Sequence, residues 1–193
     1  MNLRPLSCAV LLCLAACQDR HAPAEAPPLA GARLGGPFSL TDQAGRPVSD
    51  RSFAGRYRLI YFGYSYCPDV CPTTLQALMA GYHRLPAEVA RRIVPIFITV
   101  DPARDTPPVL ARYVAAFGPE LVGLTGPADR IAPIARAYGV SFHAQPAAPG
   151  STGYLVDHVS QPILYGPDGA PIVLLPADQG PDAVAATLRR WVR

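Results

Sequence analysis

Tyr61-Phe62-Gly63-Tyr64-Ser65-Tyr66-Cys67-Pro68-Asp69-Val70-Cys71-Pro72 is the stretch whose reading decides the fold. The aromatic and apolar residues from Tyr57 to Phe62 read as a buried strand. It breaks at Gly63 and delivers two cysteines onto the loop before a helix. The cysteines are four residues apart and each is followed by proline. Residues i and i+4 of one helical turn share a face, with Cβ atoms roughly 5–6 Å apart. Both sulfurs can then grip one metal ion, or approach the Cα separation of about 4.4–6.8 Å that a disulfide needs. Pro72 lacks a backbone N–H, which predicts that the helix starts there, with Cys67–Cys71 a tight turn ahead of it. The positive end of that helix favours thiolate over thiol.

Working outward, Leu75, Leu78, Met79 and Tyr82 recur at helical spacing and predict a helix over Thr73–Tyr82. Val94–Val100 (VPIFITV) is a β-branched apolar run, as in a strand buried on both faces. Asp101-Pro102-Ala103-Arg104-Asp105-Thr106-Pro107 follows. Asp105 or Thr106 is suited to cap the next helix, carried by Val109–Phe117, with Pro107 in its first turn. A short strand at Leu121–Leu124 and a helix over Ala128–Tyr138 come next, then an Ala-, Pro- and Gly-rich loop from Phe142 to Gly153. Strands are expected at Tyr154–Val159, Ile163–Tyr165 and Pro171–Leu175, the last two joined by a turn at Gly166-Pro167-Asp168-Gly169. Pro181–Val192 closes the chain as a helix with Trp191 in its packing and arginines at its C-terminal end, where they suit the dipole. Upstream, Phe38–Leu40 and the residues around Val48 flank a turn at Asp42–Pro47, a hairpin. The pattern argues an α/β class with a mixed central sheet flanked by helices. The dithiol falls at the carboxyl end of a strand, where open α/β sheets place their sites. The element order matches a thioredoxin-like fold with an extra N-terminal β-hairpin.

Half of the 193 residues are hydrophobic and 16% are charged, enough apolar material for one packed domain. All 17 basic residues are arginine, and they are scattered apart from Arg91-Arg92 and Arg189-Arg190. A nucleic-acid binder shows a basic stripe or patch, so nucleic acid is not an expected partner. Cys8, Cys13 and Cys17 lie at the front, leaving Cys67 and Cys71 as the one pair in the body of the chain. A disulfide closing so short a loop restrains the unfolded chain little, which argues against a structural staple. Leu6–Ala16 is too short to span a bilayer but suits a signal peptide. Its end, Leu14-Ala15-Ala16-Cys17, resembles the bacterial lipobox, where a cysteine receives lipid. The expected organisation is a lipoprotein-type signal peptide over residues 1–16, a Pro/Ala-rich tether over 17–36 and the folded domain over 37–193. The product would be an exported lipoprotein, membrane-anchored through Cys17 and facing the bacterial periplasm.

A third donor is His158, in Tyr154-Leu155-Val156-Asp157-His158. On a strand, Tyr154, Val156 and His158 share one face and Asp157 takes the other. His83 is twelve residues beyond Cys71, roughly 18 Å along one helix, and cannot share an ion with the pair. His143, in the expected loop, stays a rival. Two thiolates and an imidazole suit Cu(I), zinc or iron–sulfur chemistry. Structural zinc wants four protein ligands and an iron–sulfur cluster four cysteines. Neither inventory is present, and trigonal Cu(I), or Cu(II) with an additional ligand, fits the count. A thiol–disulfide oxidoreductase is the alternative, although such proteins space their pair as CxxC. A peroxidase would want a threonine three positions before its reactive cysteine, where Tyr64 stands.

Phe62-Gly63-Tyr64 with Cys67-Pro68-Asp69-Val70-Cys71-Pro72, then DPARDTP from Asp101 to Pro107, then Val156-Asp157-His158, resemble in order and spacing the Sco/SenC family. The resemblance runs from about Phe38 to the C-terminus. It implies a thioredoxin-like fold, a membrane tether, and copper held by Cys67, Cys71 and His158, with Asp157 beside the ligands or in docking. It further implies copper delivery to the dinuclear copper centre of a haem–copper terminal oxidase during assembly, and reduction of that centre's cysteines as a partner activity. The chain departs from the family at Val159-Ser160, where Ser or Thr often follows the histidine directly. It departs again at Thr73-Thr74, where a glutamate is common.

Overall fold

The computed structural model describes residues 25–146, 153–158 and 161–193. The first elements of the described residues are a hairpin, β1 (Ser39–Asp42) and β2 (Pro47–Ser49). Then come β3 (Tyr57–Gly63), α1 (Val70–Tyr82), a one-turn α2 (Ala87–Ala90) and β4 (Ile93–Thr99). These are followed by α3 (Pro107–Ala115), β5 (Val122–Thr125) and α4 (Ala128–Ala137). A ribbon of β6 (Phe142–Ala144) and β7 (Val156–His158) precedes β8 (Ile163–Tyr165), β9 (Pro171–Leu174) and α5 (Pro181–Trp191).

Every residue of β3 and β4 is buried, the signature of parallel strands covered on both faces. They pair in parallel from Tyr57↔Ile93 to Gly63↔Thr99. The main sheet runs β2-β1-β5-β4-β3-β8-β9, with β8, β9 and the hairpin antiparallel to their neighbours. The β3–α1–β4 and β8–β9–α5 units make this mixed sheet thioredoxin-like, with the expected hairpin added at the β5 edge. Helix α1 buries Leu75, Leu78, Met79 and Tyr82 and packs on α5. A Cβ at Gly81 would lie 2.6 Å from Val184 Cγ1, so the two backbones approach only because that residue has no side chain. Trp191 and Leu188 of α5 are buried in the same contact layer.

Two expectations are corrected. Helix α1 begins at Val70, two residues before Pro72, so Cys71 sits inside the first turn. The stretch read as loop from Phe142 begins as a strand, pairing Phe142↔His158, His143↔Asp157 and Ala144↔Val156 in a separate ribbon. Three residues carry too little periodicity to signal a strand, and this one exists by cross-strand pairing. Within the expected tether, the described residues reach back to the domain. Leu29 N donates to Ile172 O at 3.0 Å and Gly35 N to Ala137 O at 2.8 Å. Leu34 packs against the core.

Candidate metal centre

The site begins where β3 ends. A Cβ at Gly63 would lie 2.9 Å from Cys71 Sγ and 2.9 Å from Phe97 Cε2. Glycine there lets the first turn of α1 fold back over the strand end. Cys71 is fully buried, Cys67 is part-exposed on the loop, and both are free thiols. The Cys71 amide points at Cys67 Sγ, 3.4 Å away, one of the orphan donors of a helix N-terminus. The loop is tied down from behind by Asp105. Its Oδ2 accepts from Ser65 N at 3.0 Å and from Thr99 Oγ1 at 2.6 Å, and its Oδ1 accepts from Ser65 Oγ. Asp105 therefore anchors the cysteine loop and does not cap α3, whose N-cap position belongs to Thr106 without a side-chain bond.

The ribbon brings in the third donor. His158 Nε2 lies 3.4 Å from Cys71 Sγ, although the residues are 87 apart in sequence. Its Nδ1 lies 3.1 Å from the Val156 carbonyl. A carbonyl only accepts, so Nδ1 carries the proton and Nε2 keeps its lone pair toward the sulfur. The Tyr64 ring meets the imidazole edge-on at 5.6 Å between centroids, and its hydroxyl accepts from Val156 N at 3.3 Å. Donors held about 2.0–2.3 Å from a shared ion lie roughly 3.5 Å from each other, so the Cys71–His158 spacing fits a common ion. Among the described residues, no three Cys, His, Asp or Glu side chains are already closed around one point. Cys71 touches each of the other two, through its amide at Cys67 Sγ and through its sulfur at His158 Nε2.

Burial and hydrogen bonding separate the two thiols. At Cys71, burial dominates and pushes the thiol up to about 12, against weaker pulls from the Tyr64 backbone and the Tyr61 hydroxyl. At Cys67, burial also pushes upward. The amides of Asp69 and Cys71 and the side chains of Cys71 and Tyr64 together outweigh it, and the thiol falls below its ordinary value. The expectation that the helix end favours thiolate thus holds for Cys67 and is corrected for Cys71, where desolvation wins. Burial lowers the His158 imidazole, with the Val156 carbonyl and Asp157 pulling the other way, which keeps Nε2 unprotonated at neutral pH.

The remaining candidates lie elsewhere. His143 faces Asp157 across the ribbon, 3.5 Å from its carboxylate and with its side chain mostly exposed. Alternation puts both on the face opposite His158. Gln145 bridges the pair, donating to Asp157 and lying 3.0 Å from His143 Nε2. A cavity of about 220 Å³ between Ser141, His143, Asp157 and His158 opens beside the imidazole. His83 pairs with Glu120 at 3.2 Å, away from the cysteines. Thr73 Oγ1 reaches Asp69 at 3.4 Å. Cys17, Val159 and Ser160 lie outside the described residues. Tyr66, Val70 and Leu155 are large apolar side chains left about half exposed, the first two next in sequence to Cys67 and Cys71. Sequence reasoning gave no role to Ser65, Tyr64, Tyr154 or Arg104. Only the density of tyrosine around Cys67 and the quoted DPARDTP run hinted at them.

A family model described as SCO1/SenC matches residues 26–193. The chain is 43% identical over 137 residues to the mitochondrial SCO1 homolog of Mus musculus, covering 70% of this chain and 48% of that one. It is 40% identical over 156 residues to protein SenC of Rhodobacter capsulatus, covering 81% and 69%. The chain spans about half the length of the first of the curated relatives it matches. Among solved structures it is similar to Bradyrhizobium japonicum ScoI with copper bound, at a TM-score of 0.75 and 38% identity, covering 82% of this chain and 99% of that one.

Proposed function

This chain belongs to the SCO1/SenC family, and from that premise we propose that it is a copper-binding metallochaperone using Cys67, Cys71 and His158 as ligands. The observation that carries the reading is the 3.4 Å approach of His158 Nε2 to Cys71 Sγ. It adds an imidazole lone pair to a dithiol at the open end of the sheet. Soft sulfur donors favour Cu(I), and the imidazole accommodates either oxidation state. A site with one part-exposed thiol, lowered below its ordinary value, can take an ion and release it. Copper here is cargo, and its recipient is the dinuclear copper centre of a haem–copper terminal oxidase under assembly. The exposed apolar side chains of Tyr66, Val70 and Leu155, together with Asp157, meet the recipient. Residues 1–16 direct export, Cys17 carries lipid, and the tether ends where Leu29 docks on the domain of residues 37–193. The domain is thereby held at the bacterial membrane, facing the periplasm.

The test is anaerobic Cu(I) titration of the reduced protein against a competing chelator, beside His158→Ala and His143→Ala. One tightly bound copper per chain, weakened by His158→Ala and indifferent to His143→Ala, is the expected result. Weak binding unaffected by His158→Ala refutes the three-ligand reading.

The split between the thiols supports a second activity, reduction of the recipient's cysteines. The Cys67 thiolate attacks one sulfur of a partner disulfide, forming a mixed disulfide as the partner's other sulfur leaves. Cys71 then attacks Cys67 Sγ, and the second partner sulfur leaves and takes up the proton that Cys71 gives up. Two electrons pass to the partner, and Cys67–Cys71 is left as a disulfide that no longer binds copper. Trapping a mixed disulfide with Cys71→Ser, and failing to trap one with Cys67→Ser, is the expected outcome.

A further inference from the structure

Between Asp101 and Pro107 the chain makes the loop that leaves β4, and its two aspartates do different work. Asp105 holds the cysteine loop, as described. Asp101 holds Arg104, whose Nε donates to Asp101 Oδ2. The guanidinium lies 3.7 Å from the centroid of Tyr154, 4.8 Å from Tyr66 and 5.7 Å from Tyr64. Its Nη1 donates to the Tyr154 carbonyl at 2.8 Å, and the Tyr154 hydroxyl donates to Asp101 Oδ1 at 2.6 Å. Nη2 is buried with no hydrogen-bond partner among the described residues, so ring faces are what receive that side of the cation. Tyr154 begins the segment that becomes β7 and ends at His158. Tyr64 and Tyr66 belong to the cysteine loop. One planar cation therefore spans both ligand-bearing segments.

Apolar packing holds part of the ribbon, with Val156 buried in the core and Phe142 and Tyr154 part-buried against it. Beneath the ribbon lies a cavity of about 330 Å³ lined by Val100, Ile131, Phe142, Tyr154 and Val156 among others. Below Tyr154, Val156 is the only fully buried residue of the described segment 153–158. The polar attachments of the described segment are the Arg104–Tyr154 clasp, the Tyr64–Val156 hydrogen bond and the His158–Cys71 contact itself. We infer that Arg104, oriented by Asp101 and clasping Tyr154, is the positioning residue that keeps His158 within reach of Cys71. The inference rests on His158 being a copper ligand. Arginine suits this role because it offers a flat face to aromatic rings and a forked set of donors in one plane; a lysine offers neither. Loss of an outer partner that orients a metal ligand typically weakens the metal about 10–100-fold.

Two measurements decide it. Cu(I) affinity is compared by anaerobic competition for the wild type, His158→Ala, Arg104→Gln and the double variant. Arg104→Gln is expected to weaken copper about 10–100-fold in the wild type, and less than about 3-fold where His158 is already gone, as for residues acting through one contact. Arg104→Lys is expected not to restore affinity. An undiminished Arg104 effect in the His158→Ala background, or no effect in the wild type, overturns the proposal. The second readout needs no copper. In the reduced, metal-free protein, the nuclear Overhauser contact between the His158 and Tyr64 rings should vanish in Arg104→Gln and in Tyr154→Leu. Tyr154→Leu breaks the clasp from its exposed side while leaving the Asp101–Arg104 pair in place, should Arg104→Gln fail to fold. Retention of the ring contact in a folded variant overturns the clasp. If His158→Ala leaves copper affinity unchanged, the ligand assignment fails by itself, and the ring contact still reports whether Arg104 sets His158.

Discussion

Replacing Asp105 separates hydrogen-bond geometry from charge in the anchor behind the cysteine loop. The carboxylate is fully buried and accepts from three donors, Ser65 N, Ser65 Oγ and Thr99 Oγ1. In Asp105→Ala, the Thr99 hydroxyl keeps its role as acceptor for Asp101 N at 2.9 Å but loses the acceptor for its own proton. A buried donor left unpaired costs about 1–3 kcal/mol. With the Ser65 amide also stranded and a small void opened, the expected loss is about 3 kcal/mol. Asparagine can put its oxygen where Oδ2 stands, keeping Ser65 N and Thr99, and turn its amide toward Ser65 Oγ, which then accepts. All three bonds survive without the charge, so Asp105→Asn should lie within about 1 kcal/mol of the wild type. The sign follows from burial, which outweighs the Ser65 and Thr99 bonds and raises this carboxyl above its ordinary value, with Asp101 adding to the rise. The folded chain then holds the proton more tightly than the unfolded chain. The stabilising contribution is complete below about pH 4 and is lost as pH rises through the folded value. Asparagine cannot ionise and escapes that loss, so its stability relative to wild type should improve from acid to neutral pH. The assay is urea unfolding of the reduced protein. With a slope of about 2 kcal/mol/M, the alanine variant's midpoint should fall by about 1.5 M at pH 7. Its Cu(I) affinity should also drop, because Ser65 is two residues from Cys67. An asparagine variant as unstable as alanine would refute the hydrogen-bond account, and an alanine variant within about 1 kcal/mol of wild type would remove the anchor.

Thiol chemistry gives a second test. At pH 7.5 the reduced, metal-free protein should react with one equivalent of iodoacetamide at Cys67, and Cys71 should react only after unfolding, since it is buried and its thiol stands at about 12. Peptide mapping that finds equal labelling of both would contradict the split. Gly63→Ala places a methyl 2.9 Å from both Cys71 Sγ and Phe97. It should cost about 1–3 kcal/mol in thermal unfolding and weaken copper, and unchanged copper affinity would show that Cys71 can shift freely. Stripping copper under reducing conditions should leave the circular dichroism spectrum intact, because the core lies between the sheet and helices and not around the metal. A collapse like that of a zinc finger would disprove it.

The chain's repeated patterns were readable before any coordinates. The runs at Tyr57–Phe62 and Val94–Val100 are aliphatic, aromatic or β-branched apart from Arg58 and Pro95, so they read as buried strands, the second on both faces. Leu75, Leu78, Met79 and Tyr82 announced the helix between them. These are local signals, each decided within a dozen residues. The N-terminal hairpin was legible for the same reason, from turn residues between two apolar stretches. Phe142–Ala144 was not, since three residues of strand owe their conformation to β7.

Local sequence thus determined which residues carry donor atoms: a cysteine pair at a strand-to-helix junction and a histidine on a later strand. Tertiary structure alone decided that the histidine arrives, across 87 residues, at Cys71 and not at Cys67. It set the two thiols apart, because desolvation depends on what the fold lays over a sulfur. It also turned Asp105 from an expected helix cap into the anchor of Ser65 and gave Arg104 its ring of tyrosines. Burial, charge and reach are properties of the neighbours a residue acquires, and those neighbours come from distant parts of the chain.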